Sequence, residues 1–311
     1  MELVDFDGLF DKKLTEYMKK NGGKRTEKEW EDVIPQLYKK FGDTYLPKYG
    51  CTPRQYYARM SDDELIAALR EHLQSGVPVP EFLCAEAEKR RPTEKILELL
   101  DSADEETALY AVHFIGDDPL AFDKYFAVLE SGEKSEEVEN EVTECLKCAA
   151  DQVKDRALEA YNKYKGQAKA AAKETTDKEN EANEKRAEYM LEILSRVTLG
   201  SNEIFDTLLS AFGEDEEKIP MRASYLAAYG DDRALPALLK RIESREIGFN
   251  EFRELKYAIE ALGGEYNEPR SFDHDEDFLK IEDQSQKEGF SAIGDLSETH
   301  EKPHKRKISR I

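Results

Sequence analysis

Apolar residues recur along most of this chain at intervals of three and four, the spacing that places them on one side of an α-helix. Leu65, Ile66, Leu69 and Leu73 form one such face. Ala108, Ala111, Val112 and Ile115 form another, followed by Phe122, Tyr125, Phe126 and Leu129. Later faces are Met190, Ile193, Leu194 and Val197, then Ile204, Phe205, Leu208, Leu209 and Phe212. Met221, Tyr225 and Ala228 precede Leu235, Leu238, Leu239 and Ile242, and Leu255, Ala258, Ile259 and Leu262 close the series. The pattern predicts helix after helix and no strand.

Start and stop signals separate these helices. Thr26 with Glu29, Thr52 with Gln55, and Ser61 with Glu64 have the spacing of capping boxes. Pro53 suits a first helical turn. Pro35 falls inside a helical pattern and is expected to kink or restart it. Two hairpins turn on the same tripeptide, Gly116-Asp117-Asp118 and Gly230-Asp231-Asp232. At each, glycine can end one helix with a positive φ, and an aspartate can cap the next by accepting its free N–H groups. The two copies match in pattern, with a one-residue difference in the second helix.

Gly200, Gly230 and Gly263 follow helical segments at spacings of 30 and 33 residues, near the length of two short helices plus turns. The run Tyr225-Leu226-Ala227-Ala228-Tyr229-Gly230-Asp231-Asp232-Arg233-Ala234-Leu235-Pro236-Ala237-Leu238-Leu239 resembles the HEAT-like helical repeat family. The earlier copy has Pro119-Leu120 where that run has Arg-Ala. The resemblance spans about residues 90 to 265. It implies an all-α fold, an α-solenoid of helical hairpins, whose relatives mostly scaffold or bind proteins. It carries no catalytic residue over to this chain.

Three regions depart from the repeat. Residues 1–60 hold the only tryptophan, Trp30, and a dense aromatic set: Tyr38, Phe41, Tyr45, Tyr49, Tyr56 and Tyr57. They predict a small helical N-terminal unit whose aromatics pack its own core, with a break at Asn21-Gly22-Gly23. The repeats then run over 61–266. A stretch near 164–185, rich in Ala, Lys, Glu and Asn, lacks an apolar stripe and is expected to be a solvent-facing extension or a mobile insertion. After Tyr266 the pattern stops. Residues 267–311, acidic over Asp273 to Asp283 and basic at Lys302, Lys305, Arg306, Lys307 and Arg310, read as a disordered charged tail.

Composition narrows the function. Of 311 residues 37% are charged and 39% apolar, below the roughly 45–50% of a globular chain, and mean hydropathy is −0.74. Thin stacked layers suit that better than one large core. A net charge of −22 argues against nucleic acid and suits a basic protein partner. An acidic start without a long apolar run points to the cytoplasm, no membrane span is expected, and Cys51, Cys84, Cys145 and Cys148 are expected as thiols.

Candidate chemistry is sparse. Cys145-x-x-Cys148 lies in a helical stretch without a second ligand pair, so small buried cysteines are the simpler reading than zinc or redox chemistry. His113 sits alone between Val112 and Phe114, and His300 and His304 lie in the tail. The turn aspartates are too few oxygens for a calcium or magnesium site, and capping accounts for them. The glycine pairs lack the Lys-Ser/Thr of a phosphate loop. The expectation is therefore a scaffold or adaptor that is not an enzyme and needs no cofactor, with Gly116, Asp117, Asp118, Gly230, Asp231 and Asp232 as structural turn residues. Enzymes or ligand-binding proteins of the bilin-lyase or DNA-glycosylase type, on the same fold, are the alternative.

Overall fold

The computed structural model describes residues 3–21, 26–174 and 177–287. Among them sixteen α-helices are joined by short turns, with one isolated antiparallel bridge, Leu46 to Cys51, and no strand. The chain forms two compact units, Met1–Ile193 and Leu194–Ile311.

The first unit opens with α1 (Phe6–Asn21), α2 (Glu27–Gly42) and α3 (Pro53–Ala58). Residues 22–25, with the Gly22-Gly23 break, lie outside the described set. All three capping boxes form. Thr26, Thr52 and Ser61 each accept an N–H three residues on, and Glu29, Gln55 and Glu64 each reach back. Pro35 does not break α2, which continues through it. The carbonyl that loses its partner belongs to Glu31, on the exposed side, where water can replace the missing bond.

Aromatic residues fill the space between these helices. Phe6 is fully buried and meets the edges of Tyr49, Tyr56 and Tyr57 at 5.4–5.7 Å. Trp30, Phe41 and Tyr57 are buried, whereas Tyr45 stays 61% exposed. No boundary appears near residue 60. Tyr38 stacks on Phe82 of α5 (Glu81–Arg90), with ring centres 4.7 Å apart. Arg90 donates to the carbonyls of Met60, Ala58 and Tyr57.

The first unit continues through α4 (Asp62–Ser75), α6 (Thr93–Leu97, extended by a 3-10 turn over Glu98–Asp101) and α7 (Glu105–Ile115). A 3-10 turn over Pro119–Ala121 leads into α8 (Phe122–Ser131), followed by α9 (Glu136–Cys148), α10 (Ala150–Glu174) and α11 (Asp177–Leu194). Ala108, Ala111, Val112 and Ile115 are buried, as are Tyr125, Phe126 and Leu129.

The stretch near 164–185 is helical at both ends. It comprises the far end of α10 and the near end of α11, with residues 175 and 176 outside the described set. Tyr164, Ala168 and Asn183 are buried there. Polar contacts replace the missing apolar stripe. Arg186 donates to the Ser131 carbonyl and to Asn183 Oδ1. Buried Glu139 of α9 takes Lys185 Nζ and the Tyr189 hydroxyl, each at 3.0 Å.

The second unit holds α12 (Asn202–Phe212), α13 (Ile219–Tyr229), a 3-10 turn over Asp232–Ala234, α14 (Leu235–Ile242), α15 (Phe249–Ala261) and α16 (Glu276–Lys287). It repeats the packing scheme of the first. There α7 packs on α6 and α9, and α8 packs on α9; here α13 packs on α12 and α15, and α14 packs on α15.

Two expectations are corrected in this unit. The inner face of α13 is Ile219, Arg222, Ala223, Tyr225 and Leu226, while Met221 is 38% exposed and Ala228 is also exposed. Arg222 occupies the inner face because its guanidinium donates to the Ala211 carbonyl at 2.6 Å, which satisfies a charge that sequence reading puts outside. The patterned chain also does not stop at Tyr266. Phe272 and Phe278 pack on Phe249, and Arg270 donates to the carbonyls of Ile242 and Ser244. Residues 288–311, with the basic end and both tail histidines, lie outside the described set.

Candidate binding clefts

Each Gly-Asp-Asp turn lines a cleft of about 590 Å³. In the first unit Gly116 follows α7 with φ 59° and ψ −133°, and its N–H donates to Val112 O at 2.8 Å. That is a positive φ outside the left-handed helical region, a conformation essentially confined to glycine. Asp118 then caps. Its Oδ1 accepts the Leu120 N–H at 3.0 Å, and its Oδ2 accepts the Thr93 hydroxyl at 2.9 Å. The Tyr125 hydroxyl donates to Gly116 O at 2.9 Å, tying the turn to α8. Asp117 is exposed.

In the second unit Gly230 ends α13 in the left-handed region, φ 79° and ψ 19°. Here the first aspartate caps: Asp231 Oδ1 accepts the Arg233 N–H at 3.0 Å. The same carboxylate takes the Arg233 guanidinium, and that hydrogen bond holds Asp231 below the usual carboxylate range. The Tyr229 hydroxyl donates to Ser201 O at 3.1 Å, and Gly200 leaves it room, since a Cβ there would meet the phenol oxygen at 2.1 Å.

Matching the turns on their capping carboxylates locates the one-residue difference between the copies. Asp118 pairs with Asp231, Ala121 with Ala234, Tyr125 with Leu238 and Leu129 with Ile242. The two alanines are fully buried, and so is each of the other four, to within 1%. The additional residue therefore lies in the turn, between glycine and cap, and the second helices keep one register.

No protein-family model and no curated protein sequence matches this chain.

The Cys145 thiol lies beside Tyr125. Burial pushes Cys145 up to about 11, while Tyr125 shares a hydrogen bond with it. Only Cys51 of the four cysteines is buried; Cys84 and Cys145 are half-buried and Cys148 is exposed, which corrects the expectation of a buried pair. His113 is 63% exposed and its Nδ1 lies 3.2 Å from Glu141 Oε1. Among the described residues no three His, Cys, Asp or Glu side chains gather as a metal-binding set, and no helix is long and apolar enough to cross a membrane.

Sequence reading placed the turns but missed what surrounds them. Thr93 lies 25 positions from Asp118, Tyr125 lies 9 from the Gly116 carbonyl it bonds, Asn202 lies 31 from Arg233, and Tyr229 lies 28 from the Ser201 carbonyl. Only Arg233, two residues from Asp231, left a local signal.

Proposed function

We propose that this chain is a non-enzymatic scaffold or adaptor of the cytoplasm, built from HEAT-like helical hairpins, that binds another protein through its turn clefts. One observation carries the reading: the same helix order, packing scheme and glycine–aspartate turn recur in both units, and each turn lines a cleft. Repetition of a surface serves recognition, since each copy needs only its neighbours to hold it. The chemistry near the turns is consistent with binding. The capping aspartates each accept a backbone N–H, and burial pushes the Cys145 thiol up to about 11. A net charge of −22 favours a basic partner through steering and complementarity.

The test is affinity capture from native lysate with the full chain and with the charge reversals Asp117→Arg and Asp232→Arg, both at exposed positions. A stoichiometric protein partner that is weakened by the reversals supports the reading. Failure to recover one across several growth conditions, or capture indifferent to both reversals, overturns it.

A further inference from the structure

The two clefts differ in a way that points to a ligand. In the second unit the cleft contains a guanidinium of the chain's own. Arg233 bonds both oxygens of Asp231 at 2.5–3.0 Å, donates to Asn202 Oδ1 at 2.9 Å, and lies 4.1 Å from the centre of the Phe205 ring. Carboxylate fork, amide oxygen and aromatic face together make a receptor for arginine.

The first unit keeps the carboxylate of that receptor without its occupant, with Thr93, the first residue of α6, in place of Asn202, the first residue of α12. Matched on the caps, Leu120 stands where the second unit has Arg233, and it is 62% exposed. Asp118 uses one neutral donor on each oxygen, from Thr93 and Leu120, which leaves a lone pair free on both. Asp117 adds a second carboxylate at the same turn. Ile96, the fourth residue of α6, takes the place that Phe205 holds in α12 and offers an apolar wall. An imidazole and a guanidinium also line the cleft. His113 is engaged by Glu141, and Arg91 is exposed and pairs with neither turn aspartate.

We propose that the cleft of the first unit accepts from a partner what the second unit supplies to itself: an arginine side chain on a basic protein segment. The proposal rests on the scaffold reading only for where that arginine comes from. The cleft's own preference can be measured without the partner.

The probe is acetyl-Gly-Arg-Gly-amide titrated into the full chain by amide NMR, with acetyl-Gly-Lys-Gly-amide as a control of equal charge. The arginine peptide is expected to bind at the Gly116–Asp118 turn about tenfold more tightly than the lysine peptide. Leu120→Arg installs a resident guanidinium and is expected to weaken binding by about tenfold or more. Arg233→Leu empties the second cleft and is expected to add a second site at Gly230–Asp232. Both substitutions are at exposed positions, so neither disturbs the core. Equal binding of the two peptides, no binding, or binding unchanged by Leu120→Arg overturns the arginine assignment. The scaffold reading is decided separately by capture, so the two can fail independently.

Discussion

The guanidinium of Arg90 donates to the carbonyl of Met60 at 2.6 Å. The same side chain reaches the carbonyls of Ala58 and Tyr57, the carboxylate of Glu86 and that of Asp62. One residue at the end of α5 thus bonds the Met60 and Ala58 carbonyls and adds a second donor to that of Tyr57, which already accepts the Met60 N–H. Arg90→Ala leaves the buried Met60 carbonyl without this donor and is expected to lower stability by about 1–3 kcal/mol. Arg90→Lys is expected to recover little, because an ammonium cannot match the planar fork. Urea unfolding of the three proteins checks the order.

Asp275 joins two helices through one carboxylate. Its Oδ2 accepts the N–H of Phe249, the first residue of α15, and its Oδ1 accepts those of Asp277 and Phe278 in α16. Burial resists the charge, but the three N–H groups outweigh it and hold the carboxyl below its ordinary 3.8. The ionised form therefore favours the folded state. Its contribution is complete above about pH 5 and is lost as pH falls through the lowered value. Asp275→Asn is expected to lower stability at pH 7 and to flatten the acid side of the stability profile, read as the unfolding midpoint between pH 2 and pH 7. A profile unchanged in shape refutes the double-cap role.

The two turn glycines should respond unequally to alanine. Neither site is crowded, since a Cβ at Gly116 or Gly230 meets nothing within 4 Å, so any cost is conformational. Gly230 is left-handed helical, where a side chain costs roughly 1–2 kcal/mol. Gly116, at ψ −133°, occupies a region nearly closed to other residues, with a cost at the upper end of about 1–3 kcal/mol. Thermal unfolding should rank Gly116→Ala below Gly230→Ala; the reverse order refutes the argument.

Glu139 tests the polar seam between α9 and α11. Its side chain is 4% exposed and depends on Lys185 and Tyr189. Lys185→Ala leaves a buried carboxylate with one donor and is expected to cost about 2 kcal/mol, less than a fully enclosed pair because Lys185 is itself 45% exposed. Glu139→Gln added to it removes the stranded charge and should restore part of the loss. A double-mutant cycle measures the coupling, and purely additive costs refute the pairing.

Arg91 is the residue other than glycine with a positive φ, 47°, among the described residues. Arg91→Gly removes that strain at the end of α5 and is expected to raise stability by about 0.5–1 kcal/mol. Since Arg91 also lines the first cleft, the same change is expected to tighten binding of the arginine peptide.

Local features were legible in the sequence, and the reason is physical. Capping boxes at Thr26, Thr52 and Ser61 depend on groups three residues apart. The glycine–aspartate turns depend on φ at one residue and an N–H two residues away. Helix faces such as Ala108–Ile115 follow from a fixed period. None of these needs a distant partner. Where sequence reading erred, a distant partner had intervened. Arg222 turns inward because Ala211 offers a carbonyl. The end of the 164–185 stretch packs through Lys185, whose partner lies 46 residues away at Glu139. Phe272 and Phe278 are ordered by Phe249, beyond the point where the periodic pattern ends.

Alone, then, the sequence determined an all-helical chain, the caps that open several of its helices, and the sites of two equivalent turns, because local backbone energetics settle those choices. Only the tertiary structure decided which aspartate caps each turn, that the extra residue of the first copy lies between glycine and cap, and that Arg233 fills one cleft while Leu120 leaves the other open. Those outcomes rest on contacts between elements far apart in the chain, and hydrophobic periodicity carries no record of them.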